Sequence, residues 1–206
     1  MSFEYPRHIA EVDFPALYAP AFTSLDESTS FYDEISTLPL EKRDAKIIVH
    51  QAGRMVWLAD RIDEVAHARP AFQVLFYLIA AELVAKIVAR FEGEGQSKKH
   101  VQKFFSEICS PAHKERLSRA FQNPGGAYLS LETAVDFLYD VRCDVVHRGQ
   151  YYEFSLRRGR FSMLSSHQGV SRTTDISLDE LRVIVLQGAV LGARKVIDAA
   201  SESATS

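Results

Sequence analysis

Arg142 and His147 stand five positions apart at the end of an apolar helical pattern, in the segment LYDVRCDVVHRG at 138–149. Together they form a minimal kit for cleaving RNA without a metal. Arginine offers a permanently charged planar fork that matches a phosphate, and histidine takes or gives a proton near neutral pH. Five residues of an ideal helix leave the two side chains about 140° apart. They do not start on one face, so the long arginine must reach round, the helix must end near His147, or a second copy of the motif must complete the site.

The spacing alone selects little. An arginine followed by a histidine after four to six intervening residues occurs as Arg43 and His50, Arg61 and His67, Arg142 and His147, and Arg160 and His167. Only Arg142 and His147 combine Leu138 and Tyr139 upstream, Val145 and Val146 before the histidine, and Gly149 just beyond it. In that context the segment resembles the HEPN superfamily (higher eukaryotes and prokaryotes nucleotide-binding), small helical domains whose motif is an arginine, four to six residues and a histidine. Cys143 departs from the family pattern, where asparagine or serine is more usual, and a thiol has less capacity to orient a site by hydrogen bonds.

The resemblance implies an all-α, HEPN-like helical bundle acting as a metal-independent endoribonuclease, with no cofactor and no metal. It implies RNA or a nucleotide as partner, a homodimer with two motifs facing one cleft, and a toxin–antitoxin, antiviral defence or RNA-processing context. The ribose 2′-hydroxyl would attack the adjacent phosphorus, leaving a cyclic phosphate and a 5′-hydroxyl. His147 would move the proton and Arg142 would stabilise the charge growing on the phosphate. The alternative is a non-catalytic HEPN-like module that binds a nucleotide, RNA or a partner protein. Cys143 and the net charge of −3 favour that alternative, whereas the intact arginine, histidine and glycine favour the enzyme.

Supporting positions follow from helix spacing. Asp144 lies three residues before His147 and Cys143 four before it, on one stripe with Tyr139. Glu82, amid an apolar helix, resembles the acidic position of the HEPN core helix; its plainer role is an i,i+4 pair with Lys86. Arg148, Arg157, Arg158 and Arg160 are the RNA-contact candidates, with Tyr151, Tyr152 and Phe161 near for stacking. Lys98, Lys99, His100 and Lys103 make a second basic cluster, read as a solvated face. The purely structural role of Arg142 is pairing with Glu132, Asp140 or Asp144, and that of His147 is a cation favouring the helix C-terminus.

The elements that must position these residues are mostly helical. Ile48, Ala52, Met55, Ala59, Ile62 and Ala66 lay one stripe along a helix over 41–69, and Pro70 separates it from an apolar helix over 72–91. Shorter helices are expected over 97–108 and 111–121. Asn123, Pro124, Gly125 and Gly126 then form a loop before the motif helix, which Gly149 ends. A small β-hairpin is expected at 151–156 and 160–164, a loop over 165–177, and a final helix with an N-cap at Ser177. Four of the seven prolines fall in the first forty residues, together with many aromatics, so 1–40 reads as a proline- and aromatic-rich arm wrapped on a surface and available to a protein partner. Residues 41–200 form the helical domain and 201–206 a polar tail.

Composition bounds the rest. Two cysteines, Cys109 and Cys143, are too few for a disulfide framework and lack zinc-like spacing. The apolar stretch 72–91 is interrupted by Gln73, Glu82, Lys86 and Arg90, which argues against a membrane span, and the chain opens without a secretory pattern. A cytoplasmic protein is expected. No phosphate-binding glycine loop, dinucleotide fingerprint, zinc-protease motif or nucleophile elbow is present.

Overall fold

A helix that is apolar on nearly every side must be surrounded, and α4 (Pro70–Val88) is that helix here. Pro70 occupies its start, where a missing N–H costs nothing. In this computed structural model, which describes residues 12–65, 69–149, 156, 162–165 and 171–204, α4 buries Val74, Tyr77, Leu78, Ala81 and Val84 at the centre of an all-α bundle. By length and composition α4 is also apolar enough to cross a membrane. Two long helices, α3 (Arg43–Val65) and α8 (Leu178–Ala204), pack on it and on each other.

The stripe expected on α3 is largely the buried one, with Ile48, Ala52 and Ala59 fully inside beside Ala45, Val49 and Val56. On α8, Gly188 and Gly192 permit close approach: an added Cβ would lie 2.2 Å from Phe104 Cζ at the first and 2.5 Å from Val84 Cγ1 at the second. Arg182 of α8 grips both carboxylate oxygens of Asp60 on α3 at 2.9–3.0 Å, a bidentate pair that fixes how the two helices lie.

A second group of helices covers another side of α4. The short α5 (Ser97–Lys103) runs into a wide turn, Phe104–Ile108, with π-type i→i+5 hydrogen bonding. Next come α6 (Pro111–Ser118), capped by Ser110, and α7 (Leu131–Cys143), whose N-cap Ser130 accepts a hydrogen bond from the Thr133 N–H at 3.2 Å. The motif helix α7 buries Ala134, Val135, Leu138 and Val141 and continues into a second wide turn, Asp144–Arg148. Gly149 closes it at φ 64°, in the left-handed region, with its N–H bonded back to the Asp144 carbonyl.

The described part of the proline-rich segment is helical. α1 (Phe14–Tyr18) and α2 (Leu25–Thr37) place Phe14, Leu17, Tyr18, Phe31 and Ile35 in the common core, and the Tyr18 hydroxyl donates to the Val49 carbonyl at 2.8 Å. Pro15 and Pro20 stand at the starts of α1 and the following 3₁₀ turn, where proline is tolerated, so the proline count masked two helix starts.

A small antiparallel hairpin follows the motif helix, as expected, but its strands are displaced along the chain. β2 (Ser162–Ser165) overlaps the second expected strand; its partner is β3 (Ser171–Thr174), inside the stretch expected to be a loop. Of the first expected strand only Leu156 is described, buried and outside any strand. The other edge of β3 pairs with β1 (Phe121–Gln122), so the sheet order is β1-β3-β2. SRTT carries no apolar alternation because backbone pairing on both edges, together with the buried Thr174, holds the strand.

Candidate functional site

The site grows from the packing of α7 on α4 and α5. Val135, Tyr139 and Arg142 follow one another at four and three residues, one stripe of α7. On that stripe the Arg142 guanidinium lies 5.3 Å from the Tyr139 ring centroid, in a cation–π contact. Its Nη2 stands 3.9 Å from Glu82 Oε2 on α4, with the two side chains only 19% and 13% exposed. At that distance charge attraction orients the arginine but no hydrogen bond forms. Among the described residues Arg142 makes no hydrogen bond, so its N–H donors are unspent there. Glu132, Asp140 and Asp144, the pairing partners of the plainer reading, are not the acid it faces.

Glu82 is itself held from two sides. Ser97 Oγ at the start of α5 donates to Glu82 Oε1 at 2.7 Å, and Lys86 Nζ, one turn along α4, approaches the same oxygen at 2.7 Å. Burial pushes the Glu82 carboxyl up, but the hydrogen bonds from Lys86 and Ser97 and the charges of Lys86 and Arg142 outweigh it and hold the group below the usual carboxylate range. Burial raises the Tyr139 phenol, with the Arg142 charge opposing, so Tyr139 is a neutral ring and hydroxyl beside the arginine.

His147 stands in the wide turn at the end of α7, exposed, with no hydrogen bond or ion pair to any described residue. An i→i+5 turn rotates less per residue than an α-helix, so His147 lies nearer the Arg142 face than an unbroken helix would put it. Within one chain the two do not hydrogen-bond to each other. Val146 beside it is 49% exposed, an uncovered apolar side chain at the motif.

The supporting positions fall into two groups. Tyr139 and Glu82 surround Arg142 as described. Asp144 is buried and accepts from Arg148 Nη1 at 3.2 Å, which places Arg148 over the wide turn. Cys143 is half-buried and reduced. Arg157, Arg158 and Arg160, with Tyr151, Tyr152 and Phe161, lie outside the described residues. Cys109, the other thiol, is buried and pushed up to about 12 by that burial, so it stays protonated.

Sequence reasoning overlooked three features. The wide turns give no periodicity signal of their own. Ser97 is an ordinary helix-start serine until the fold brings it to Glu82. The basic cluster at 98–103 splits: Lys98 pairs with Asp136 at 2.8 Å, His100 is buried against Phe91 with ring centroids 4.6 Å apart, and Lys99 and Lys103 remain unpaired among the described residues. Among the described residues no group of three or more His, Cys, Asp or Glu is placed to hold a metal ion. No protein-family model, curated protein or solved structure matches the chain.

Proposed function

We propose that the chain is a metal-independent endoribonuclease of HEPN type. The observation that carries this reading is the Arg142 guanidinium, aimed by Glu82 and Tyr139 but with its N–H donors unspent, five residues before an exposed His147 that has no partner among the described residues. An arginine so held suits the charge that develops on a phosphate under attack. His147 suits the proton transfer between the attacking 2′-hydroxyl or the leaving 5′-oxygen and solvent. Phosphorus gains a bond to O2′ and loses its bond to O5′, giving a 2′,3′-cyclic phosphate and a 5′-hydroxyl. A symmetric dimer in which two motifs share one cleft would supply the partner that each histidine lacks among the described residues, and the uncovered Val146 suits such a contact. The cellular setting that the resemblance implies is a cytoplasmic toxin, defence or RNA-processing protein.

The alternative is a non-catalytic module of the same fold that binds a nucleotide, RNA or protein partner. It is favoured by the Arg142–Glu82 ion pair, which is also what a purely structural arginine makes. Cleavage of single-stranded RNA in excess chelator, lost in His147→Ala protein of unchanged helicity, separates the two readings. Binding without cleavage selects the module.

A further inference from the structure

We propose that the groove between α5 and the first turns of α7 binds the phosphate and ring of a nucleotide unit, supplied by an RNA strand or by a free nucleotide. The groove encloses about 420 Å³, within the range of small-molecule sites. Lys99 and Lys103 lie on one wall, and Leu131 and Val135 line it from α7. The lysines are one turn apart on the same face of α5, where like charges repel. Neither has an ion pair or hydrogen bond among the described residues, whereas their neighbour Lys98 is paired with Asp136 at 2.8 Å. An anion between Lys99 and Lys103 relieves that repulsion.

The chemistry of the lining selects the ligand. Two lysines against one acid, Glu132, leave a net positive groove, to which the N-terminal end of α7 adds. Leu131, over the buried Val135 at the floor, offers an apolar surface for a base or ribose, and Glu132 can accept from an amino group. Gln102 Nε2 donates to Asp136 Oδ1 at 2.6 Å, which clamps α5 to α7 and holds the walls apart. An inorganic anion leaves the apolar side unused, and an apolar ligand leaves the lysines unpaired; a nucleotide uses both. Val135 begins the stripe that continues through Tyr139 to Arg142, seven residues or about 10 Å along the axis. A short single strand seated in the groove therefore runs toward the motif. That extension rests on the ribonuclease reading; the groove's affinity for a nucleotide does not.

The test uses His147→Ala protein in chelator, so that binding is followed without cleavage, with and without the added pair Lys99→Gln and Lys103→Gln. Anisotropy of a fluorescent decauridylate gives affinity against salt, with AMP and adenosine as competitors. The expected result is at least tenfold weaker binding on loss of the lysines. The slope of log affinity against log salt should become shallower by about 0.7, one phosphate contact on a single strand. AMP should compete and adenosine should not. If only AMP binding depends on the lysines, the source is the free nucleotide; if only decauridylate binding does, it is the strand. Equal affinity and equal slope with and without the lysines, for both ligands, overturn the proposal. Lysine-dependent binding by a chain whose His147 form never cuts RNA removes the ribonuclease reading and leaves the groove.

Discussion

Glu82 and Arg142 meet 3.9 Å apart across the α4–α7 contact, near enough for charge to hold the guanidinium and too far for the carboxylate to take its hydrogen bonds. The arginine is thus positioned by a residue sixty places away in sequence rather than by the acids on its own helix. Ser97 and Lys86 in turn fix Glu82, so the position of Arg142 depends on three elements.

Loss of that positioning charge should be visible in the kinetics. Glu82→Gln keeps the shape and the Ser97 contact but removes the attraction to Arg142. RNA cleavage should fall about tenfold to a hundredfold, mostly in kcat, the scale expected when a catalytic group is misplaced by a fraction of an ångström to an ångström. Single-turnover kinetics measure it; an unchanged kcat would show that Glu82 does not position Arg142.

Acid should weaken the fold through its buried and half-buried imidazoles. His100 is buried with both ring nitrogens unpartnered; burial lowers its pKa, and Lys86, Lys103 and Lys99 lower it further against an opposing contribution from Glu82. His50 and His113 are also lowered, chiefly by burial. For a base held below its ordinary value, the unfolded chain binds the extra proton first. Stability is therefore full above the ordinary imidazole pKa of about 6.5 and falls as pH drops from there toward the folded-state pKa. Glu82 behaves in the same direction at lower pH: its contribution is present above the ordinary carboxyl range and lost as pH falls through its depressed value. Urea unfolding between pH 7.5 and 5.5 should show this slope, and His100→Phe should flatten it.

Close helix approach supplies a prediction independent of function. Gly188→Ala would put a methyl group 2.2 Å from Phe104 Cζ, so α8 or the wide turn at Phe104–Ile108 must shift. Overpacking of this kind costs about 1–3 kcal/mol. Denaturant unfolding measures it, and a cost under about 0.5 kcal/mol would mean that the ring simply turns aside, since benign substitutions stay within that range.

Much of the bundle was legible because apolar side chains on α3, α4, α7 and α8 repeat at helical spacing and need burial. Pro70, Ser177 and Gly149 mark boundaries by their own backbone chemistry. What escaped the sequence depends on tertiary context. α1 and the 3₁₀ turn after it hid behind prolines that start helices rather than break them. β3 is held by pairing on both edges, so its side chains carry no pattern. The wide turn under His147, closed by Gly149, gives no periodicity signal of its own. In the site, Glu82 stood out as a charge on an apolar helix, whereas Ser97 and the separate fates of Lys98, Lys99 and Lys103 became visible only when α5 lay against α4 and α7.

The most direct test of the account is the chemistry of the cut ends. Single-stranded RNA incubated with the purified chain in excess EDTA should yield fragments ending in a 2′,3′-cyclic phosphate and beginning with a 5′-hydroxyl. His147→Ala and Arg142→Ala should each lower the rate by a hundredfold or more without loss of circular-dichroism helicity. Intact RNA under those conditions, or fragments with a 5′-phosphate, would contradict the assignment of Arg142 and His147 as a metal-independent ribonuclease pair.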